Sequence, residues 1–295
     1  MKILILGKNG QVGGELKPML APLGEVVLTD RQSIDLSNVD AMRERIRAIA
    51  PDAIVNAAAY TAVDKAESEP ELAMTVNGEA PGAIAEEAAK LGAAVIHYST
   101  DYVFDGESDR PYVEADPTHP INEYGKTKLA GEQAIQNSDA AHVILRTSWV
   151  YGTRGKNFLL TIARLAQERD RLTIVSDQVG CPTSAVAIAE ATRDLIAKYA
   201  ESENFASALA PHSGLYHFSS DGVASWHEFA RAIVDRMDWS GDRAKPAVEP
   251  IPTEAYPTPA KRPKYSVLSK AKFADTFGIA VPHWTDSLNR VMAAR

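Results

Sequence analysis

Tyr124 and Lys128 stand four residues apart in the run Tyr124-Gly125-Lys126-Thr127-Lys128. On a helix that spacing puts both side chains on one face, where an ammonium and a phenol can meet a shared ligand. A nearby cation favours phenolate and draws a tyrosine pKa down from about 10, making a proton donor for a developing alkoxide. A hydroxyl comes from His97-Tyr98-Ser99-Thr100-Asp101-Tyr102, which begins as a strand and ends at its C-terminal edge. Open α/β sheets bind ligands at that edge, so the Thr100 hydroxyl is placed to hydrogen-bond a substrate carbonyl. Hydroxyl, phenol and ammonium together equip a site for reducing a carbonyl.

Such a site needs a hydride donor. Gly7-Lys8-Asn9-Gly10-Gln11-Val12-Gly13 spaces its glycines as GxxGxxG near the chain start. Without side chains, backbone approaches a pyrophosphate closely, and the N-terminus of the next helix stabilises its charge. Asp30 follows about 20 residues on, where a carboxylate can bond adenosine ribose hydroxyls. The adjacent Arg31 can instead meet a 2′-phosphate, so NADH and NADPH both stay open.

The elements that position these residues alternate. Strands are expected at Lys2–Leu6, Val26–Thr29, Ala53–Asn56, Ala94–Ser99 and His142–Arg146. Helical patterns lie between them at Gln11–Leu23, Val39–Ile49, Pro70–Leu91 and Asn122–Gln136, with Ser37 or Asn38 as an N-cap and Gly92 as a stop. The alternation predicts an α/β fold, a doubly wound parallel sheet of Rossmann-like type. After Trp149 the pattern loosens. Helices are expected at Phe158–Arg169, Val186–Ala200 and Ser225–Met237, strands at Leu172–Val175 and Leu215–Phe218, and a polar surface loop at Glu201–Ser213. Pro246, Pro250, Pro252, Pro257, Pro259 and Pro263 argue for an extended connection over Lys245–Lys264, whose basic end can reach an anionic ligand. We expect a dinucleotide-binding domain over 1–150, completed by parts of 170–219, and a smaller α/β substrate domain over 151–295.

A net charge of −8 offers no general attraction to nucleic acid or to an anionic membrane. Neither is expected as a partner. The single cysteine, Cys181, excludes an internal disulfide and suits a reducing cytoplasm. No apolar run is long enough to span a membrane or act as a signal peptide, so a soluble, cytoplasmic chain is expected.

Ser99, Thr100, Tyr124 and Lys128 resemble the extended short-chain dehydrogenase/reductases that modify nucleotide sugars. More closely, Asn56–Glu67 (NAAAYTAVDKAE), Ser99–Gly106 (STDYVFDG), Tyr124–Glu132 (YGKTKLAGE), Arg146–Gly152 (RTSWVYG) and Asp177–Thr183 (DQVGCPT) resemble the dTDP-4-dehydrorhamnose reductase family. Trp226-His227, Tyr256–Ala260 and Arg262-Pro263 match too, so the similarity spans nearly the whole chain.

The resemblance implies NADPH or NADH as hydride donor. It also implies a dTDP-linked 4-keto-6-deoxy sugar as acceptor, reduced to dTDP-L-rhamnose. By the family pattern Gly7, Gly10, Gln11, Val12, Gly13, Asp30, Asp35, Leu36, Ala59, Tyr60, Thr61 and Tyr98 line the cofactor with Tyr124 and Lys128. Thr100, Asp101, Tyr102 and Trp149 face the sugar, with Val63 and Asp64 close by and Arg262 toward the nucleotide end. Without the resemblance Trp149 reads as a core aromatic, and Arg262 as part of a solvated basic loop.

Some family members bridge a dimer through an acidic metal site. Here Glu15 remains, while the other matching positions are Val186 and Thr285. A divalent cation prefers several oxygen ligands, so no metal is expected, and the chain should be a monomer or a weak homodimer. Two other functions share these motifs: a non-catalytic NADP-binding regulatory subunit, and an epimerase or dehydratase of a related nucleotide sugar. Keeping Thr100, Tyr124 and Lys128 together argues for the reductase, because a binding module needs no proton donor.

Overall fold

The computed structural model describes residues 1–241 and 244–295. The first half runs β1 (Lys2–Leu6), α1 (Gln11–Leu20), β2 (Glu25–Thr29), α2 (Val39–Ile49), β3 (Ala53–Asn56), α3 (Val63–Ala66), α4 (Pro70–Met74), α5 (Ala80–Leu91), β4 (Ala94–Thr100), α6 (Glu123–Gln136) and β5 (Ala141–Thr147). The second half runs β6 (Val150–Tyr151), α7 (Phe158–Glu168), β7 (Arg171–Val175), β8 (Val179–Gly180), β9 (Thr183–Ser184), α8 (Ala185–Tyr199), α9 (Phe205–Leu209), β10 (Gly214–His217), β11 (Ala224–Ser225), α10 (Trp226–Asp235), β12 (Ala247–Ile251), α11 (Ala271–Phe277) and α12 (Trp284–Ala293).

Six strands form one parallel sheet in the order β10-β5-β4-β3-β1-β2. The chain steps outward from β1 to β2 and then returns to β3 on the other side, so the order reverses between β1 and β3. That reversal opens a crevice at the strands' C-terminal ends, which is where ligands bind in doubly wound sheets. β3 and β4 are buried along their whole length, as strands covered on both faces must be. One apolar cluster joins Ile3, Val55, Ile96 and Leu145 to Ile188, Leu195, Phe205, Phe218 and Phe273, while the opposite face joins Leu4, Ile54 and Val95 to Met42, Ile46 and Ile84. A separate core gathers Tyr151, Leu159, Leu172, Phe229, Ile233, Trp284 and Leu288 from the second half.

Local chemistry explains several boundaries. Asn38 caps α2 by accepting from Ala41 N–H, and Gly92 closes α5 in the left-handed region at φ +67°. The helix expected over 70–91 is interrupted by a wider π turn at Thr75–Glu79, which orients Asn77 toward the Tyr60 backbone and the Thr127 hydroxyl. α6 opens on Asn122, whose Oδ1 accepts from Gly125 N–H while its Nδ2 donates to the Lys261 carbonyl. A side chain at Gly125 would run into the Tyr102 carbonyl oxygen, so glycine at this position lets α6 sit against the turn that follows β4.

Two expectations are corrected. Residues 201–213 are not a surface loop: α9 and a 3₁₀ turn at Ala210–His212 run through them, and the α9 residues Phe205 and Leu209 are buried. The connection over 245–264 contains β12, which pairs in parallel with β7. α11 and α12 were not expected; α11 seats Phe273 and Phe277 in the sheet's core, and α12 seats Trp284 and Leu288 in the second.

Candidate active site

A cleft of about 850 Å³ lies at the sheet reversal. Gly7, Gly10, Gln11 and Val12 line it from the first loop and Asp30, Asp35 and Leu36 from beyond β2. Ala59, Tyr60 and Thr61 line it from beyond β3, and Tyr98, Tyr124 and Lys128 from β4 and α6. Gly13 is the exception among the residues expected around a cofactor. It lies under the loop, where a Cβ would collide with the Gly7 carbonyl, so its part is to let α1 pack closely. Gly7 itself takes φ +87°, and a Cβ there would stand 2.8 Å from Ala58 N. The N–H groups of Gly7, Lys8 and Gly10 donate to Thr29 and Gly7 carbonyls, so the donors that fit a pyrophosphate are those opening α1 from Gln11 on, which the two glycines leave uncovered. Cations stand at the cleft: Lys8 pairs with the lining residue Asp30 at 3.0 Å, Arg31 pairs with Asp35 at 3.2 Å, and Lys156 is part of the lining. Lys8 and then Ser33 hold the Asp30 carboxyl down to about 2.

Lys128 does not behave as its spacing suggested. Its ammonium is buried, lies 2.7 Å from the Tyr98 carbonyl oxygen and 3.1 Å from His97 Nε2. Burial lowers it to about 8, against the pull of Glu132. The phenol of Tyr124 is not drawn down. Burial pushes it up to about 12, partly offset by the Thr100 hydroxyl. Lys128 points to the strand behind it, so the expected cationic lowering of Tyr124 is corrected.

Thr100 is also engaged. Its Oγ1 donates to Asp101 Oδ1 at 3.1 Å and accepts from Tyr102 N–H at 3.2 Å. Its hydroxyl is thus held between Asp101 and the turn after β4, and it also hydrogen-bonds the Tyr124 phenol. Asp101 is buried, also accepts from Ser148 Oγ at 3.0 Å, and burial pushes its carboxyl up to about 6. Ser99 donates to Glu132, which grips Arg146 through two bonds of 2.9 and 2.6 Å and so ties α6 to β5.

The residues expected around a sugar form a second group beyond Tyr124, outside the lining of the main cleft. Tyr102 meets Tyr124 edge-on at 5.6 Å, and the Arg262 guanidinium lies 6.0 Å from the Tyr102 ring. Arg262 is half-buried and paired with Asp64 at 2.9 Å, next in sequence to Val63 at the start of α3, so it is no solvated loop charge. Trp149 takes φ +48°, an unusual conformation for so large a residue, and stacks on Trp226 with centroids 3.4 Å apart. Glu15, the surviving acidic position, accepts from Arg154 Nε at 3.1 Å.

Lys8, Asn56, His97 and Ser148 escaped the sequence reading. A polar residue closing an apolar strand, as Asn56 does, and a histidine inside one, as at His97, were the available signals.

The family model described as the RmlD substrate binding domain matches residues 1–295. A dTDP-4-dehydrorhamnose reductase from Burkholderia thailandensis is 48% identical over 289 residues, covering 96% of this chain and 95% of that protein. One from Shigella flexneri is 46% identical over 297 residues, covering 99% and 97%. A solved dTDP-4-dehydrorhamnose reductase from Clostridium acetobutylicum matches with a TM-score of 0.90 at 38% identity, covering 100% of this chain and 99% of that one. One from Bacillus anthracis, in complex with NADP, matches at 0.88 and 34% identity, with the same coverage. At this identity and coverage, the chain belongs to the family of the RmlD substrate binding domain.

Proposed function

We propose that this chain reduces the 4-keto group of dTDP-4-dehydro-L-rhamnose with NADPH or NADH, giving dTDP-L-rhamnose. The observation that carries it is the meeting of Tyr124 and Lys128 with Gly7, Gly10 and the N-terminus of α1 in one cleft at the sheet reversal. When bound, the reduced nicotinamide supplies the hydride. Gly7, Gly10, Gln11 and Val12 hold the pyrophosphate, Asp30 the adenosine ribose, and Lys128 the second ribose. Tyr124 is the proton donor: with its phenol pushed up to about 12, it stays protonated throughout the neutral range. Thr100 and Asp101 orient the carbonyl beside it. Arg262, fixed by Asp64 and leaning toward Tyr102, receives the diphosphate end of the sugar nucleotide.

The sheet unit thus serves the cofactor, while Trp149 and the second core frame the sugar. No helix among the described residues is long and apolar enough to cross a membrane. The test is loss of NADPH absorbance on adding enzymatically generated dTDP-4-dehydro-L-rhamnose, with the product identified by NMR. Stoichiometric oxidation yielding dTDP-L-rhamnose supports the reading, whereas substrate rearrangement without net oxidation would make the chain an epimerase.

A further inference from the structure

The loop over 152–157 belongs to the second half of the chain but closes on the start of α1. Asn157 caps α7 by accepting from Leu160 N–H. Its Nδ2 donates to Gln11 Oε1 at 2.9 Å and to the Gly152 and Arg154 carbonyls at 3.0 and 3.1 Å. Gln11 Nε2 in turn donates to the Val150 carbonyl at 3.3 Å, and Arg154 pairs with Glu15 on α1 at 3.1 Å. Gly155 takes φ +75°, and a Cβ there would lie 3.3 Å from Gln11 Cγ. Lys156 thus stands between two residues that meet Gln11, the first residue of α1.

The charges around it are already matched. Arg31, Lys65, Lys128 and Lys156 are the cations of the cleft lining. Arg31 pairs with Asp35 and Lys65 with Glu69, while Lys128 is buried against the Tyr98 carbonyl. The remaining carboxylate of the lining, Asp30, is paired with Lys8. Lys156 is exposed and has no ion pair or hydrogen bond among the described residues. It is therefore a surplus positive charge beside the N-terminus of α1, whose unpaired backbone N–H groups also favour an anion.

We infer that Lys156 is a cofactor-binding residue, by which the second half of the chain sets an ammonium on the pyrophosphate of NADPH or NADH at the start of α1. Gln11 and Glu15 hold the loop beforehand, so binding has little ordering left to supply. The other anions have partners of their own. A 2′-phosphate belongs with Asp30 and Lys8 beyond β2, and the diphosphate of the sugar nucleotide with Arg262, outside this lining. The inference deepens the proposed function and rests on it only in the place given to the pyrophosphate.

Calorimetric titration of the free protein with NADH and with NADPH tests this without the sugar substrate. Lys156→Met should weaken both cofactors by the same factor, roughly tenfold, the scale of one partly screened charge pair. Lys156→Arg should keep affinity near wild type, and Lys156→Glu should bind more weakly than Lys156→Met. The gap between wild type and Lys156→Met should narrow as salt rises to about 0.5 M, because an exposed pair is screened. The side chain is exposed, so these variants leave the packed core as it is. Unchanged affinity for both cofactors overturns the inference, as does a loss confined to NADPH, which would put Lys156 at the 2′-phosphate. A loss that salt does not diminish also overturns it, since packing rather than charge would then be responsible. Failed sugar reduction with the expected cofactor affinities counts against the proposed reaction alone.

Discussion

Lys8 Nζ stands 3.0 Å from the Asp30 carboxylate, so the glycine-rich loop carries a counter-charge to the residue that follows β2. A bare carboxylate at this place would repel a 2′-phosphate, whereas a paired one tolerates it and still offers oxygens to a ribose. Both cofactors should therefore be used. Lys8→Met should lower kcat/KM with NADPH roughly tenfold, the scale of one partly screened charge, and change that with NADH much less. Asp30→Ala should move the ratio toward NADPH. Steady-state kinetics with both cofactors check this, and unchanged ratios in both variants remove the pair from cofactor choice.

Tyr124→Phe removes the proton donor and keeps the ring's edge contact with Tyr102. Turnover should fall roughly 100-fold or more, while cofactor affinity stays near wild type. Turnover within a few-fold of wild type would take Tyr124 out of its role.

Asp101 couples the site to pH. Its folded carboxyl, raised to about 6 by burial, binds its proton more tightly than in the unfolded chain. The stability from that proton is fully present below pH 4 and is lost as pH rises through 6. The loss amounts to about 3 kcal/mol for a shift of about two pH units. Asp101→Asn has nothing to ionise. Denaturant unfolding should thus show the variant gaining on wild type between pH 4 and 7, and a constant difference would contradict the buried, raised carboxyl.

Arg262 is held by Asp64 and faces Tyr102 rather than the reacting atoms. Arg262→Ala should raise KM for the sugar nucleotide about tenfold with kcat changed much less, the signature of binding shared by ground and transition states. A loss confined to kcat would place this arginine in the chemistry instead.

The sequence carried the sheet because β-branched runs such as Ala94–Ser99 have one reading when helices separate them. α2 was legible to the residue because Asn38 caps it, with Pro51 just beyond its end. α9 was hidden by the polar run Glu201–Asn204, and the pair Phe205 and Leu209, one helical turn apart, was its overlooked signal. β12 was hidden by Pro250, which a strand paired only with β7 tolerates at its free edge. At the site, spacing placed Tyr124 and Lys128 on one face, but the direction of the lysine depends on His97 and the Tyr98 carbonyl, which only the packed sheet supplies.

Hydride delivery to C4 of the sugar beside Tyr124 can be followed by isotope transfer. With NADPH fully deuterated at the nicotinamide C4 and dTDP-4-dehydro-L-rhamnose as acceptor, the expected product is dTDP-L-rhamnose carrying one deuterium at its own C4, formed at a rate that Tyr124→Phe suppresses. A product without deuterium at C4, or with deuterium at another carbon, would contradict it.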